Sequence, residues 1–185
     1  MSPIISVFNY PRRLLHWLIA GLVAVQVPLA WTMIDQPLGP DKVANYGLHK
    51  SMGILLFGLG AVRVITALLT NRPELPSSMP GILRIISRVN ELVLFIIVLL
   101  MPLTGWLMSS AANFPVNFFG LFTLPDIVEP DKQLFQSLQI AHRLQSYVLL
   151  ALVTVHTLAA LRHLLIVRDN VVYTMLPVKR LKNND

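Results

Sequence analysis

Four of the five histidines, His16, His49, His142 and His156, fall within or at the ends of long apolar runs. An ionisable side chain in a membrane helix is expensive, so such a position is functional by default. His142 and His156 are 14 residues apart, which on one helix is about 21 Å of rise and about 1400° of rotation, ~40° short of four turns. They share a face at two depths. If successive spans alternate in direction, His49 lies level with His142 at the outer side, and His16 lies nearest in depth to His156. Two pairs of imidazoles then face each other across a helical bundle, the arrangement that holds an iron between two axial nitrogens. The chemistry predicted is bis-histidine ligation of two b-type haems, which with both axial positions filled suits electron transfer. Cysteine is absent, which excludes disulfides, thiolate-bound zinc, iron–sulfur clusters and covalently attached haem.

The second run adds its own pattern. His49, Gly53, Leu56, Gly60 and Arg63 fall within about 40° of one another on a helical wheel. Glycine removes the side chain where a planar macrocycle approaches the backbone, and this is the reading taken for Gly53 and Gly60, with close helix packing as the alternative. Arg63 follows His49 by 14 residues, at the depth of His156, where a haem propionate would answer a buried cation. Lys50 and Arg143 each directly follow an outer histidine; they serve the outer haem or an anionic reactant, or else snorkel to the interface. His163 lies seven residues beyond His156 on nearly the same face and competes with it as inner ligand. Its neighbour Arg162 argues for an interfacial place, so His156 is preferred.

The elements that position these residues are four apolar runs, about residues 14–34, 48–69, 92–109 and 140–167, each at or near the roughly 20 residues that cross a bilayer. Of the 185 residues, 55% are hydrophobic and 13% charged, and mean hydropathy is +0.64; a water-soluble domain carries roughly twice that charge fraction. The fold predicted is all-α, one four-span membrane domain over residues 1–185. The first run is too long for a signal-peptide core and is expected to remain.

The net charge of +6 is sorted by the spans. Arg12 and Arg13 precede the first run, Arg72, Arg84 and Arg88 lie between the second and third, and Lys179, Arg180 and Lys182 follow the fourth. The other two connections are acidic, Asp35 and Asp41 against Lys42, then Asp126, Glu129 and Asp131 against Lys132. The positive-inside rule puts both termini in the cytoplasm and leaves nucleic acid without support, while the basic tail suits anionic lipid. Trp17 falls near the inner boundary, and Trp31 and Trp106 near the outer one, as interfacial residues do. Pro73, Pro76 and Pro80 predict an extended middle crossing. The outer connection, about residues 110–139, holds Phe114, Phe118, Phe119 and Phe122; it is a structured lid or binding element, or it floats on the interface.

Together these residues resemble the bacterial cytochrome b561 family over nearly the whole chain. The resemblance is carried by Leu15-His16-Trp17, by Leu48-His49-Lys50-Ser51-Met52-Gly53-Ile54, and by Pro102-Leu103-Thr104-Gly105. It continues in Ala141-His142, His156 and His163, then Arg168-Asp169-Asn170 and Met175 before Pro177. It implies a four-helix protein of the bacterial inner membrane with two b haems that exchanges electrons with the quinone pool. One branch of the family oxidises superoxide and reduces ubiquinone; others relay electrons for a protein partner. Many relatives place a histidine near the start of the third helix, where this chain has Asn90-Glu91. Glu91 either replaces it in handling protons or is a simple partner of the helix dipole.

The function expected is therefore electron transfer between an outer and an inner haem and a quinone, with superoxide as one reductant. In that case Lys50, Lys132 and Arg143 draw the anion in. The rival from another class is a haem-bearing anchor without a substrate site of its own, and a third is a haem-free transporter using histidines for protons. No Ser-His-Asp set, phosphate-cradling glycine motif or H-E-x-x-H motif supports hydrolase or nucleotide chemistry.

Overall fold

A computed structural model of the chain describes residues 8–71 and 79–176. Its helices are α1 (Tyr10–Asp35), α2 (Pro40–Leu69), α3 (Gly81–Ala111) and α4 (Lys132–Arg162); a π-helical turn, His163–Val167, continues α4, and a 3-10 turn, Val172–Thr174, follows. The four helices are long and apolar enough to cross a membrane. Two short strands, β1 (Asn117–Phe118) and β2 (Phe122–Thr123), pair antiparallel between α3 and α4.

Local chemistry sets the helix starts. The Asn9 side chain accepts from the Arg12 amide at 3.3 Å, with a proline in the first turn of α1, and Asp131 Oδ1 accepts from the Leu134 amide at 2.9 Å at the start of α4. Pro40 opens α2 and Pro80 immediately precedes α3. At the other end of α1, Lys42 Nζ donates to the carbonyls of Ile34 and Gln36, where cations complement exposed carbonyls.

Each helix starts before its apolar segment, because hydropathy marks hydrocarbon depth whereas backbone hydrogen bonding continues into polar flanks. Three expectations change with it. His49 lies nine residues inside α2 rather than at its start. Arg84 and Arg88 belong to α3, not to the connection before it. Glu91 stands ten residues into α3, beyond the first turn where a dipole partner acts, and it pairs with Arg88 at 3.4 Å. The predicted extended crossing at Arg72, Pro73 and Pro76, and the basic tail at Lys179, Arg180 and Lys182, lie outside the described residues.

The close backbone packing runs α1 on α2, α2 on α3 and α3 on α4. The bundle is therefore not evenly closed: α4 leans on α3, and it meets α1 and α2 across a wider spacing that side chains span.

Candidate functional site

The side chains crossing that spacing are the histidines. The rings of His49 on α2 and His142 on α4 have centroids 6.5 Å apart, at an interplanar angle of 83°. Those of His16 on α1 and His156 on α4 are 6.1 Å apart at 56°. Two imidazoles on opposite sides of one metal, each with a metal–nitrogen bond of about 2.0–2.1 Å, have centroids roughly 6.3 Å apart. Both separations fit a single iron between the rings. His16, His49 and His142 are half-buried, and His156 is the most open of the four.

Around the outer pair, α3 supplies contacts that sequence reasoning missed. Thr104 Oγ1 lies 3.3 Å from His142 Nδ1 and 2.7 Å from Gln145 Oε1. A Cβ on Gly105 would fall 3.2 Å from His142 Cε1, so the ring lies on bare backbone. Both residues stand in the motif that carried the family resemblance, but nothing local to it reveals that α4 presses a histidine there. On the α1 side, buried Gln26 donates from Nε2 to the His49 carbonyl at 3.0 Å. A Cβ on Gly53 would be in ordinary contact, 3.7 Å, with Gln26 Nε2.

Gly60 takes the other of its two expected roles. A Cβ there would sit 3.1 Å from side-chain atoms of both Val98 and Leu99, so Gly60 lets α2 and α3 approach closely. The room expected there for a macrocycle is occupied by α3.

Arg63 is 6% exposed, with its guanidinium 5.5 Å from the Phe95 ring centroid. Its Nη1 is buried without a hydrogen-bond partner. It stands within electrostatic reach of His16 and of His156, and Glu91 reaches His156 and Arg63 in the same way. An orphaned buried donor beside a histidine pair is what a haem carboxylate would satisfy. Arg12, read from sequence only as a flanking cation, is 1% exposed. Its Nη1 donates to Thr70 Oγ1 and the Asn71 carbonyl, each at 3.1 Å, closing the end of α2.

His163 stays out of the pairs. It is 7% exposed, and its Nδ1 lies 2.7 Å from Asp169 Oδ2. Asp169 Oδ1 in turn accepts from the Val171 amide. Nearby, Arg13 donates to the Leu176 carbonyl and Trp17 Nε1 to that of Met175, both at 2.9 Å.

The outer connection, Ala112 to Asp131 between the helices, is an ordered cap. The hairpin turn uses left-handed backbone at Phe119 (φ 50°) and Gly120 (φ 75°). Ser51, two residues after His49 and almost wholly buried, accepts from the Phe119 amide at 3.0 Å and lies 2.8 Å from the Asn117 carbonyl. Lys50 Nζ donates to the Phe114 carbonyl at 2.7 Å and sits 3.5 Å from the Phe114 ring centroid. Ser109 donates to the same carbonyl, and Trp106 Nε1 to that of Pro125. Of the three cations expected to draw in an anion, Lys50 is thus engaged with the cap, whereas Arg143 and Lys132 are exposed on α4.

Comparison with known proteins agrees with this architecture. A family model described as prokaryotic cytochrome b561 matches residues 7–178. Cytochrome b561 homolog 2 of Escherichia coli (strain K12) is 29% identical over 130 residues, covering 70% of this chain and 69% of the relative. The probable superoxide oxidase CybB of Yersinia pestis is 26% identical over 170 residues, covering 90% of this chain and 93% of the relative.

Proposed function

The chain belongs to the prokaryotic cytochrome b561 family, and on that premise we propose that it carries two b-type haems, one between His49 and His142 and one between His16 and His156, and exchanges electrons with quinone. As a member of that family it is a multi-pass electron-transfer protein of the bacterial inner membrane. The observation that carries the two-haem reading is the pair of ring separations, 6.5 and 6.1 Å, both matching one iron between two imidazoles. Arg63, whose Nη1 is buried without a partner, would answer a carboxylate of the inner haem. Gly53, four residues after His49, has only Gln26 Nε2 within reach of a Cβ position, at 3.7 Å, while Gly60 serves helix packing.

Haem, when bound, supplies a one-electron iron couple; the chain's part is to hold the ligands, keep water out and place charge. The charge pattern along the sequence sets both termini in the cytoplasm and the His49–His142 pair toward the periplasm. There the cap is pinned to α2 by Lys50 and Ser51, the two residues that follow His49. The relative named as a probable superoxide oxidase supports superoxide as donor and ubiquinone as acceptor. Two superoxide anions each give one electron, and one ubiquinone takes both with two protons, yielding dioxygen and ubiquinol. Arg143 and Lys132, with Lys50 behind them, attract the anion.

The test is haem-to-protein stoichiometry with oxidised and dithionite-reduced spectra of detergent-purified protein, then quinone reduction driven by superoxide. Two low-spin haems are expected, one lost in His49→Ala or His142→Ala and the other in His16→Ala or His156→Ala. Well-folded protein without haem overturns the reading. Haem reduction only in the presence of a partner protein would reject superoxide oxidation and assign the chain as a haem-bearing anchor.

A further inference from the structure

We propose that Thr104 is a positioning residue for His142: its hydroxyl holds the imidazole with the proton on Nδ1, turns Nε2 toward the iron, and thereby sets the potential of the outer haem apart from that of the inner one. This rests on the two-haem reading above.

The argument is a count of hydrogens. Thr104 is 8% exposed, so water does not compete for its hydroxyl. That hydroxyl has one hydrogen to give and two lone pairs with which to accept. Three groups face it: the Met101 carbonyl at 2.8 Å, Gln145 Oε1 at 2.7 Å and His142 Nδ1 at 3.3 Å. Two of them are carbonyl oxygens with no hydrogen to offer. If Nδ1 were also bare, three acceptors would share one hydrogen inside a buried site. With the proton on Nδ1, His142 donates to the hydroxyl, and the hydroxyl donates to a carbonyl. With the Gln145 amide turned over, its NH2 donates to Thr104, and the Met101 carbonyl, nearer the hydroxyl at 2.8 Å than Nδ1 is at 3.3 Å and itself a backbone partner of His142, favours the same proton position.

The ring is held in place as well as in tautomer. Gly105 presents bare backbone 3.2 Å from Cε1, measured from where a Cβ would stand. The other three proposed ligands lack such support. His49 Nδ1 is buried without a partner, and among the described residues no hydrogen bond reaches the ring nitrogens of His16 or His156. A hydrogen bond from the far nitrogen makes an imidazole a more basic ligand, which favours the ferric over the ferrous state. One ligand of four therefore carries a tuning contact, and it belongs to the outer pair.

The experiment is spectroelectrochemical titration of the haem-loaded protein as wild type, Thr104→Val and Thr104→Ser. In Thr104→Val both haems are retained and one potential rises, by about 59 mV if the ferric-to-ferrous affinity ratio falls tenfold, the lower end of outer-shell effects. Thr104→Ser keeps the hydroxyl and restores the wild-type value. Unchanged potentials in Thr104→Val, an equal shift of both haems, or a Thr104→Ser protein that behaves like Thr104→Val would overturn the proposal. A second measurement needs no variant. In dithionite-reduced wild-type protein, 15N-histidine spectra should show one ligand with a slowly exchanging Nδ1 proton, and fast exchange at all four refutes the assignment. Wild-type protein without haem would instead sink the underlying reading, a separate outcome.

Discussion

Replacing Gly105 by alanine adds one methyl group to α3 at the point where the His142 ring lies. The new Cβ would stand 3.2 Å from Cε1 and 3.7 Å from Nδ1, whereas carbon atoms pack best at about 3.5–4.0 Å. The ring must give by a few tenths of an ångström, a displacement near the ~0.5 Å tolerance of a metal site. Two effects of opposite sign follow. Alanine in a helix interior is worth about 0.5–1 kcal/mol over glycine, while overpacking against a fixed group costs about 1–3 kcal/mol. With haem held between His49 and His142 as proposed, His142 is fixed, whereas in haem-free protein it is not, so the penalty falls mainly on haem binding. Gly105→Ala should weaken the outer haem by roughly 5- to 150-fold, using 1.4 kcal/mol per factor of ten. In a His142→Ala background the same change should raise the thermal midpoint, because only the helix-propensity gain remains. The assay is haem titration by absorbance together with thermal unfolding of all four members of the double-mutant cycle. A Gly105→Ala protein with undiminished outer-haem affinity, or a cycle with no coupling between the two positions, would refute the contact.

Arg63→Met removes the buried cation offered to a propionate. The inner haem should weaken by about 10- to 100-fold, the worth of a charge-assisted hydrogen bond of roughly 1.5–3 kcal/mol, while the outer haem spectrum is unchanged. Equal loss of both haems in redox difference spectra would contradict this placement. Ser51→Ala leaves the Phe119 amide without its acceptor at a cost of about 1–3 kcal/mol. Amide hydrogen exchange should accelerate across β1 and β2 with two haems still bound; unchanged exchange would show that Ser51 does not pin the cap. His163→Ala breaks the buried contact with Asp169 and should lower the thermal midpoint without haem loss. Loss of a haem there, with His156→Ala unaffected, would reverse the choice of inner histidine.

The histidine geometry was legible because it depends on one quantity, the helical repeat, applied within single apolar runs. That repeat put His142 and His156 on one face, and alternating span direction matched each with a residue on another helix; the structure brings together those same pairs of rings. The neighbours of the rings were not legible, because they are set by how helices lean on one another. Gly60 faces α3 rather than open space, and Gly105 meets a side chain 37 positions away. Neither fact has a periodic signature. Arg12 looked like a topology signal, and its burial at the end of α2 depends on where Thr70 and Asn71 expose their carbonyls. Glu91 was misplaced relative to its helix start because hydropathy falls away before hydrogen bonding does, so α3 opens ten residues earlier. The outer loop's order likewise comes from Ser51 and Lys50 on another element.

The unequal packing of the fourth helix bears on how the protein is made. Helices α1 to α3 contact one another in chain order, so each can dock on its predecessor as it leaves the insertion machinery. Helix α4, made after these three, has close backbone contact with α3, and toward α1 and α2 it offers histidines. If those histidines hold haem as proposed, haem delivery is the step that ties α4 to the first two helices. In cells starved of haem, the abundance of this cytochrome should track haem supply even when its messenger RNA does not change.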